Sequence, residues 1–456
     1  MIIVTVIIIV SKHIYESEWF DLKLQHGVVL PFLKSTSRAS AYDMPVAKHL
    51  TIPMLMHRGK PAKCLVSVGD LVKVGQRIGD AVGLDSAHIH SSVSGIVSEI
   101  QDTDPVTGKA RAAVVIESDG KQELDPTLTP PTVETTEQFL DAIRASGVVG
   151  LGGAGWPTAP KLTITDDMSI DYIILNGAEC EPYMTCDTRT MVEDRELLWH
   201  GIRALHRFLG VENIVIAIDR RNVKSVESMR EYVKSEPIAR VEALDPKYPQ
   251  GAKLNLVHNV TGRTVPEAKA TEDVGCIILN VTTLASVMRY IETGIPMIKK
   301  RVTVDGSAVT SPRNVLVPLG TPLKDVFEFC GGLRGTPAKV ITGGPMMGSA
   351  APDMSMPVTK STNTLLAFFD EDTIEPTQSA CIRCGRCVSG CPMNLSPPAI
   401  QAELERAVTE RLYDLKIRSC VECGCCSFTC PAGIPLAQNF RAAKTQLRNA
   451  AAKKEG

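Results

Sequence analysis

Two cysteine runs near the C-terminal end limit what this chain can fold into more than any other feature. Cys381-x2-Cys384-x2-Cys387-x3-Cys391-Pro392 recurs as Cys420-x2-Cys423-x2-Cys426-x3-Cys430-Pro431. Three thiolates on consecutive short turns can cap three iron corners of a cubane. The fourth, set apart by three residues and followed by proline, reaches the other cluster. The spacing therefore predicts two 4Fe–4S clusters: Cys381, Cys384, Cys387 and Cys430 on one, Cys420, Cys423, Cys426 and Cys391 on the other. Structural zinc and a disulfide scaffold are the alternatives. Zinc sites usually pair two Cys-x2-Cys units, and a third cysteine plus Cys-Pro, occurring twice, does not suit them. Nine of the 14 cysteines lie between Cys381 and Cys430, which reads as metal binding in a reducing compartment. Cys425, off the spacing, reads as a packing residue. Cys64, Cys180, Cys186, Cys276 and Cys330 read as small buried or half-buried thiols.

A length of 456 residues implies about three or four domains. Lys plus Arg total 49 against 51 Asp plus Glu, so no basic excess argues for nucleic acid. The longest apolar run, Met1 to Val10, is far short of the ~18–20 residues of a membrane span. It also lacks a basic segment ahead of it, so a signal peptide is not expected. Residues 1–25 read as an N-terminal extension holding a buried strand or an upstream start, and no transmembrane segment is expected.

Within an N-terminal module of residues 26–124, residues 46–118 alternate apolar stretches with Gly turns (Val68-Gly69-Asp70, Val74-Gly75-Gln76, Ser94-Gly95-Ile96), which predicts a small β-sandwich. It resembles the lipoyl and biotinyl carrier fold, a barrel-sandwich hybrid. Its hairpin stretch Leu84 to His90 has no lysine to modify, so the module reads as scaffold. A Pro/Thr-rich linker runs from Asp125 to Thr136. In residues 137–298, a helix at Glu137 to Ala145 and strands at Tyr172–Leu175, Ile214–Ile218 and Cys276–Leu279 predict a Rossmann-like parallel α/β domain. Residues 299–368 resemble the soluble-ligand-binding β-grasp module. Residues 375–440 hold the cysteine runs around a helical stretch, Pro398 to Leu415, and so form a helical dicluster ferredoxin domain. The tail, 441–456, carries five basic residues and one acidic and reads as a solvated helix end.

The α/β part carries a glycine loop, Gly150-Leu151-Gly152-Gly153-Ala154-Gly155-Trp156-Pro157, running on to Lys161. Such a loop lets backbone N–H groups approach a phosphate or flat ring, although it can equally be an interdomain turn. A strand then ends in Asn176-Gly177 with Glu179 and Glu181 just beyond. These carboxylates suit sugar or ribityl hydroxyls, or are solvated turn residues. A third strand end, Leu279-Asn280-Val281-Thr282-Thr283, opens a helix whose threonines either hold a phosphate or simply cap the helix.

Taken together, GLGGAGWPT with its lysine, NGAECEPY, the NVTT turn, the β-grasp segment, GGPMMG (Gly343 to Gly348) and the cysteine runs resemble the C subunit of the Rnf ion-translocating electron-transport complex. The cobalamin reductase of propanediol-using bacteria is similar, and the flavoprotein subunit of respiratory complex I is so more distantly. The resemblance implies that Gly152, Gly153, Gly155 and Lys161 form an FMN loop and that Trp156 offers an aromatic platform where the family usually has Phe. It implies that Asn176 and Glu179 contact the flavin or its ribityl chain, Glu181 lies near the nicotinamide, and Asn280 and Thr283 hold the phosphate. Val29 stands where the family often has His. The activity implied is electron transfer from NADH through FMN to two 4Fe–4S clusters, with no side chain acting as acid or base. The partners implied are membrane subunits that move Na⁺ or H⁺, with this chain peripheral on the cytoplasmic face of a bacterial membrane. A soluble reductase feeding cobalamin or an amino-acid reductase, and a wiring module without enzymatic activity, are the rival readings.

Overall fold

A computed structural model of the chain describes residues 26–103, 110–267, 269–373, 376–406 and 410–455. The expected N-terminal extension, with its Met1 to Val10 run, lies outside the described residues. Strand β1 (Tyr42–Asp43) is followed by β2 (His49–Pro53), β3 (Lys63–Cys64), β4 (Leu71–Val72), β5 (Arg77–Asp80), β6 (Ile89–His90), β7 (Gly95–Thr103) and β8 (Ala110–Ser118). Strands β2 to β8 form the expected sandwich from sheets ordered β2-β8-β7-β4 and β3-β5-β6. Leu50, Ile52, Ile78, Ile89, Val97, Val114 and Ile116 fill its interior. Strand β1 departs from the expected boundary: it pairs in parallel with a strand of the β-grasp unit, Tyr42 opposite Val315.

The α/β unit opens with α1 (Thr136–Ala145), started by a capping box in which Thr135 and Gln138 satisfy each other's backbone N–H groups. Then come α2 (Thr158–Leu162), β9 (Tyr172–Gly177), α3 (Cys186–Glu193), α4 (Arg195–Leu209), β10 (Asn213–Asp219), α5 (Val223–Ser235), β11 (Ala239–Leu244), α6 (Lys253–Thr261), β12 (Cys276–Asn280) and α7 (Val281–Thr293). All four strands are parallel, in the order β11-β10-β9-β12. Ile173, Leu175, Ile216 and Ile277 pack on one face with Leu198, Ile202 and Leu284. Ile174, Ala217 and Ile278 pack on the other with Leu256 and Val257. Burial on both faces explains why β9, β10 and β12 read as continuous apolar runs.

The β-grasp unit comprises β13 (Lys299–Asp305), β14 (Arg313–Pro318), α8 (Leu323–Phe329), β15 (Lys339–Thr342), β16 (Ser349–Ala350) and β17 (Thr364–Phe368). Its sheet, completed by β1, is ordered β1-β14-β13-β17-β15-β16, and Leu323, Val326 and Phe327 of α8 pack beneath it. Helices α9 (Arg386–Ser389), α10 (Pro397–Glu405), α11 (Glu410–Asp414), α12 (Cys425–Phe428) and α13 (Leu436–Glu455) complete the chain. The stretch read as helical from Pro398 to Leu415 is thus two helices among the described residues. The tail also differs from a solvated helix end. Lys444 is buried and pairs with Glu422 at 2.8 Å, and Arg441 reaches the same carboxylate at 3.2 Å.

One buried cation locks three units together. Lys360, from the β-grasp unit, is fully buried and donates to the carbonyls of His88 in the sandwich (2.7 Å) and Gly147 after α1 (2.6 Å). Burial pushes its ammonium down from 10.5 to about 7. Between those values the unfolded chain binds a proton that the folded chain does not, so stability rises with pH across that window. The penalty is fully present below about pH 7. Lys360→Met is expected to flatten the rise. Denaturation midpoints of both proteins from pH 7 to 10 check this, and parallel slopes would refute it.

Candidate functional site: a crevice at the sheet edge joined to two thiol sets

Strand order places the first site. β10 and β11 follow β9 to one side, and β12 then crosses to the other, so the topology reverses between β9 and β12. In open parallel sheets the crevice beyond the carboxyl ends at such a point is the usual ligand position. Asn176 and Asn280 sit there side by side in register.

The glycine loop closes over this crevice. Its base is cinched by Gly150 N–H to the Trp156 carbonyl (2.8 Å) and Gly155 N–H to the Gly150 carbonyl (2.9 Å). Gly153 and Gly155 have φ of +95° and +68°, a region that favours glycine. A Cβ on Gly152 would lie 3.0 Å from the Asn280 Nδ2, so the loop touches the strand end only because that side chain is absent. Asn280 caps α7 by accepting from Thr283 N–H. Thr283 does not cap the helix with its own hydroxyl: that group accepts from Leu151 N–H at 2.9 Å and anchors the loop. Arg58 of the sandwich donates its N–H to the Gly155 carbonyl, and Trp156 stands 52% exposed at the rim.

The other expected residues divide. Asn176 holds the Gly251 carbonyl (3.0 Å) and the Ala178 N–H (3.2 Å). Lys161 lies in α2; burial lowers its pKa, opposed by Glu272. Glu179 faces inward. Its carboxylate accepts from Asp187 N–H, Thr188 N–H and the Thr188 hydroxyl at 2.6–3.1 Å, so it organises the start of α3. Asp187 in turn accepts from Thr282 (2.6 Å) and Asn280 (2.8 Å), and burial, then Glu179, pushes its carboxyl up to about 6. Lys34 is a residue the sequence did not flag. Its buried ammonium donates to the carbonyls of Glu179, Glu181 and Met184 and so fixes the whole turn after β9.

Cysteines of both runs pack into one cluster, with Cys387 and Cys391 of the first beside Cys420, Cys426 and Cys430 of the second. Cys391 of the first run lines one pocket with Cys420, Cys423, Cys425 and Cys426 of the second, together with Leu395 and Phe440. The two expected sets differ in exposure: Cys381 and Cys384 are exposed, and Cys391, Cys423 and Cys426 are buried. Lys444 donates to the Cys420 carbonyl (2.6 Å) at the wall of the second pocket. The donors are all thiols, a set suited to iron–sulfur ligation. Cys425 is buried and packs against Tyr248, as a packing residue should, and all 14 cysteines are free.

The crevice and the second thiol set meet at the loop after β11. Tyr248 donates from its hydroxyl to the Cys423 carbonyl (2.8 Å) and lies 3.3 Å from Glu181 Oε1. Glu181 accepts from the Met346 and Met347 N–H groups of the GGPMMG hairpin (3.0 and 2.9 Å). Burial pushes its carboxyl up to about 7 despite those hydrogen bonds. Around Val29, itself exposed, Val28 and Leu30 are buried against Tyr248 and Met346. That segment therefore packs the seam between the two sites.

Family models agree with this layout. The model described as "RnfC Barrel sandwich hybrid domain" matches residues 22–121 and "Nuo51 FMN-binding domain" matches 143–289. "SLBB domain" matches 301–350 and "4Fe-4S dicluster domain" matches 380–434. The C subunit of the proton-translocating ferredoxin:NAD(+) oxidoreductase complex of Clostridium ljungdahlii is 39% identical over 80% of each chain. The chain belongs to the Rnf C-subunit family. The C subunit of the Na(+)-translocating ferredoxin:NAD(+) oxidoreductase complex of Acetobacterium woodii is 37% identical over 79% of this chain and 82% of its own. That of the ion-translocating oxidoreductase complex of Rhodobacter capsulatus is 35% identical over 90% of this chain and 80% of its own. Among the described residues of this Rnf family member no helix is long and apolar enough to cross a membrane.

Proposed function

We propose that this chain is the NAD(H)-exchanging, electron-entry subunit of an Rnf-type complex, bound peripherally to membrane subunits that couple electron transfer to ion movement. The observation that carries this reading is the adjacency of the two sites. A glycine-lined crevice at the sheet's switch point is tied through Tyr248 to a pocket walled by five cysteines, four of them on the ferredoxin-type spacing.

Both sites fit the groups they would hold. Gly152, Gly153 and Gly155 leave a cradle that a Cβ at Gly152 would begin to fill, and Asn176, Asn280 and Thr283 fix its floor. Lys161 and Trp156 flank the loop, and Glu179 and Glu181 shape the turn after β9. Bound FMN would accept the two-electron hydride of NADH and pass on single electrons, and each 4Fe–4S cluster would carry one. The protein's part is to hold these groups close, orient them and keep water out. Lys34 and Thr283 do so by pinning the turn and the loop. The names of two relatives put ferredoxin and NAD(+) at the two ends of the reaction, and a hydride-exchanging crevice serves either direction. Burial and the Tyr248 contact support a Cys420 set on the flavin side, and the exposure of Cys381 and Cys384 supports a partner subunit meeting the chain at the other set. A cytoplasmic-face position fits 14 unpaired cysteines. The relatives' names favour the ion-translocating complex over a soluble reductase for cobalamin or amino acids.

Metal and flavin analysis of anaerobically reconstituted protein tests the assignment. About eight irons per chain and saturable FMN binding are expected. Tightly bound zinc in place of iron would contradict it.

A further inference from the structure

We propose that Tyr248 is a positioning residue that sets the second cluster against the flavin crevice. The inference rests on the functional reading above. Among the described residues Tyr248 is the side chain that contacts both the peptide of an expected cluster ligand and a carboxylate of the crevice turn. Its own placement is over-determined. Its backbone N–H and carbonyl pair with those of Val28 (2.8 and 3.0 Å), the Cys425 thiol donates to the same carbonyl, and the residue is only 2% exposed.

The phenol has one proton, and its shorter contact is the Cys423 carbonyl at 2.8 Å. Holding that carbonyl fixes the plane of the Cys423–Gly424 peptide. This matters because Gly424 has no slack: its φ is +84°, and a Cβ there would lie 2.9 Å from the Met346 carbonyl. The peptide plane sets how the Cys423 sulfur approaches the pocket and where the adjoining dipoles point. Such outer hydrogen bonds tune cluster properties. On the other side the Tyr248 hydroxyl lies 3.3 Å from Glu181, whose two oxygens carry the Met346-Met347 hairpin. The same loop ends at Gly251, whose carbonyl takes the Asn176 side chain. One short loop therefore fixes the strand end under the glycine cradle and the peptide of a cluster ligand.

Tyr248→Phe removes the hydroxyl and keeps both the backbone pairing and most of the packing. In the full-length, FMN- and iron-loaded protein, NADH should reduce the flavin at the wild-type rate. Cluster reduction should slow about fivefold or more, as expected for loss of one hydrogen bond. The dithionite-reduced EPR spectrum of the Cys420-set cluster, read without NADH, should shift, and that of the Cys381-set cluster should not. Iron lost selectively from the Cys420 set would also support positioning. Wild-type rate and spectrum, or equal iron loss from both sets, would overturn the proposal. If the wild-type protein itself passes no electrons from NADH to its clusters, the functional reading fails instead.

Discussion

Cys423→Ser is expected to leave the flavin reducible by NADH while stopping electrons from reaching the Cys381 set. Cys384→Ser is expected to remove only the outer cluster and to leave the inner one reducible by NADH. The asymmetry follows from placement. Cys423 is buried, its carbonyl held by Tyr248, and it shares a pocket with Cys391, Cys420 and Cys426. Cys384 is exposed on the opposite set. Each substitution should lower the iron content by about half, because a cubane that loses one of four thiolates is no longer held. NADH-driven reduction of the outer cluster should fall by about 100-fold or more in Cys423→Ser, with dithionite reduction retained. EPR after each reductant reads both outcomes. Unchanged iron would overturn the ligand assignment, and prompt NADH reduction of the outer cluster in Cys423→Ser would reverse the order of the two sets.

Gly152→Val should weaken flavin binding sharply without touching the clusters. The first side-chain carbon would already lie 3.0–3.2 Å from three atoms of Asn280. Asn280 cannot swing away, because its amide donates to Asp187 and the Asn176 carbonyl and its oxygen caps α7. The added methyl groups must then enter the crevice. A weakening of FMN binding by about 100-fold or more is expected, close to 3 kcal/mol, with iron content unchanged. Quenching of FMN fluorescence on titration measures it. Wild-type affinity would show that the flavin does not use this cradle.

Some of this architecture was legible because its causes are local. Thiolate spacing along a few turns limits which cubane corners each run can reach, so the crossed sets are an expectation of the sequence, and the fold adds that Cys391 of the first run lines the pocket of the second. β9, β10 and β12 were legible because strands buried on both faces are continuously apolar. β11 escaped notice because it lies at the sheet edge, and its middle residues, Arg240 to Ala243, are only partly buried or exposed. Lys34 and Tyr248 escaped for another reason. Their partners lie 145 and 175 residues away, and nothing in the composition near either residue signals a buried donor. The same blindness affected the tail. Arg441 and Lys444 read as solvated charges until the fold brought Glu422 to them. Glu179 and Thr283 stand at the strand ends beside the crevice, yet their polar atoms are engaged by α3 and by the glycine loop. A sequence shows that a polar group sits at a strand end, but not which backbone groups will claim it first.

The most direct test of the account is an anaerobic titration of the iron-reconstituted, FMN-loaded protein with NADH, followed by visible absorbance and EPR. Flavin bleaching together with the signal of a reduced 4Fe–4S cluster is the predicted result. Clusters that dithionite reduces and NADH does not would contradict it and leave the chain a wiring module with another donor.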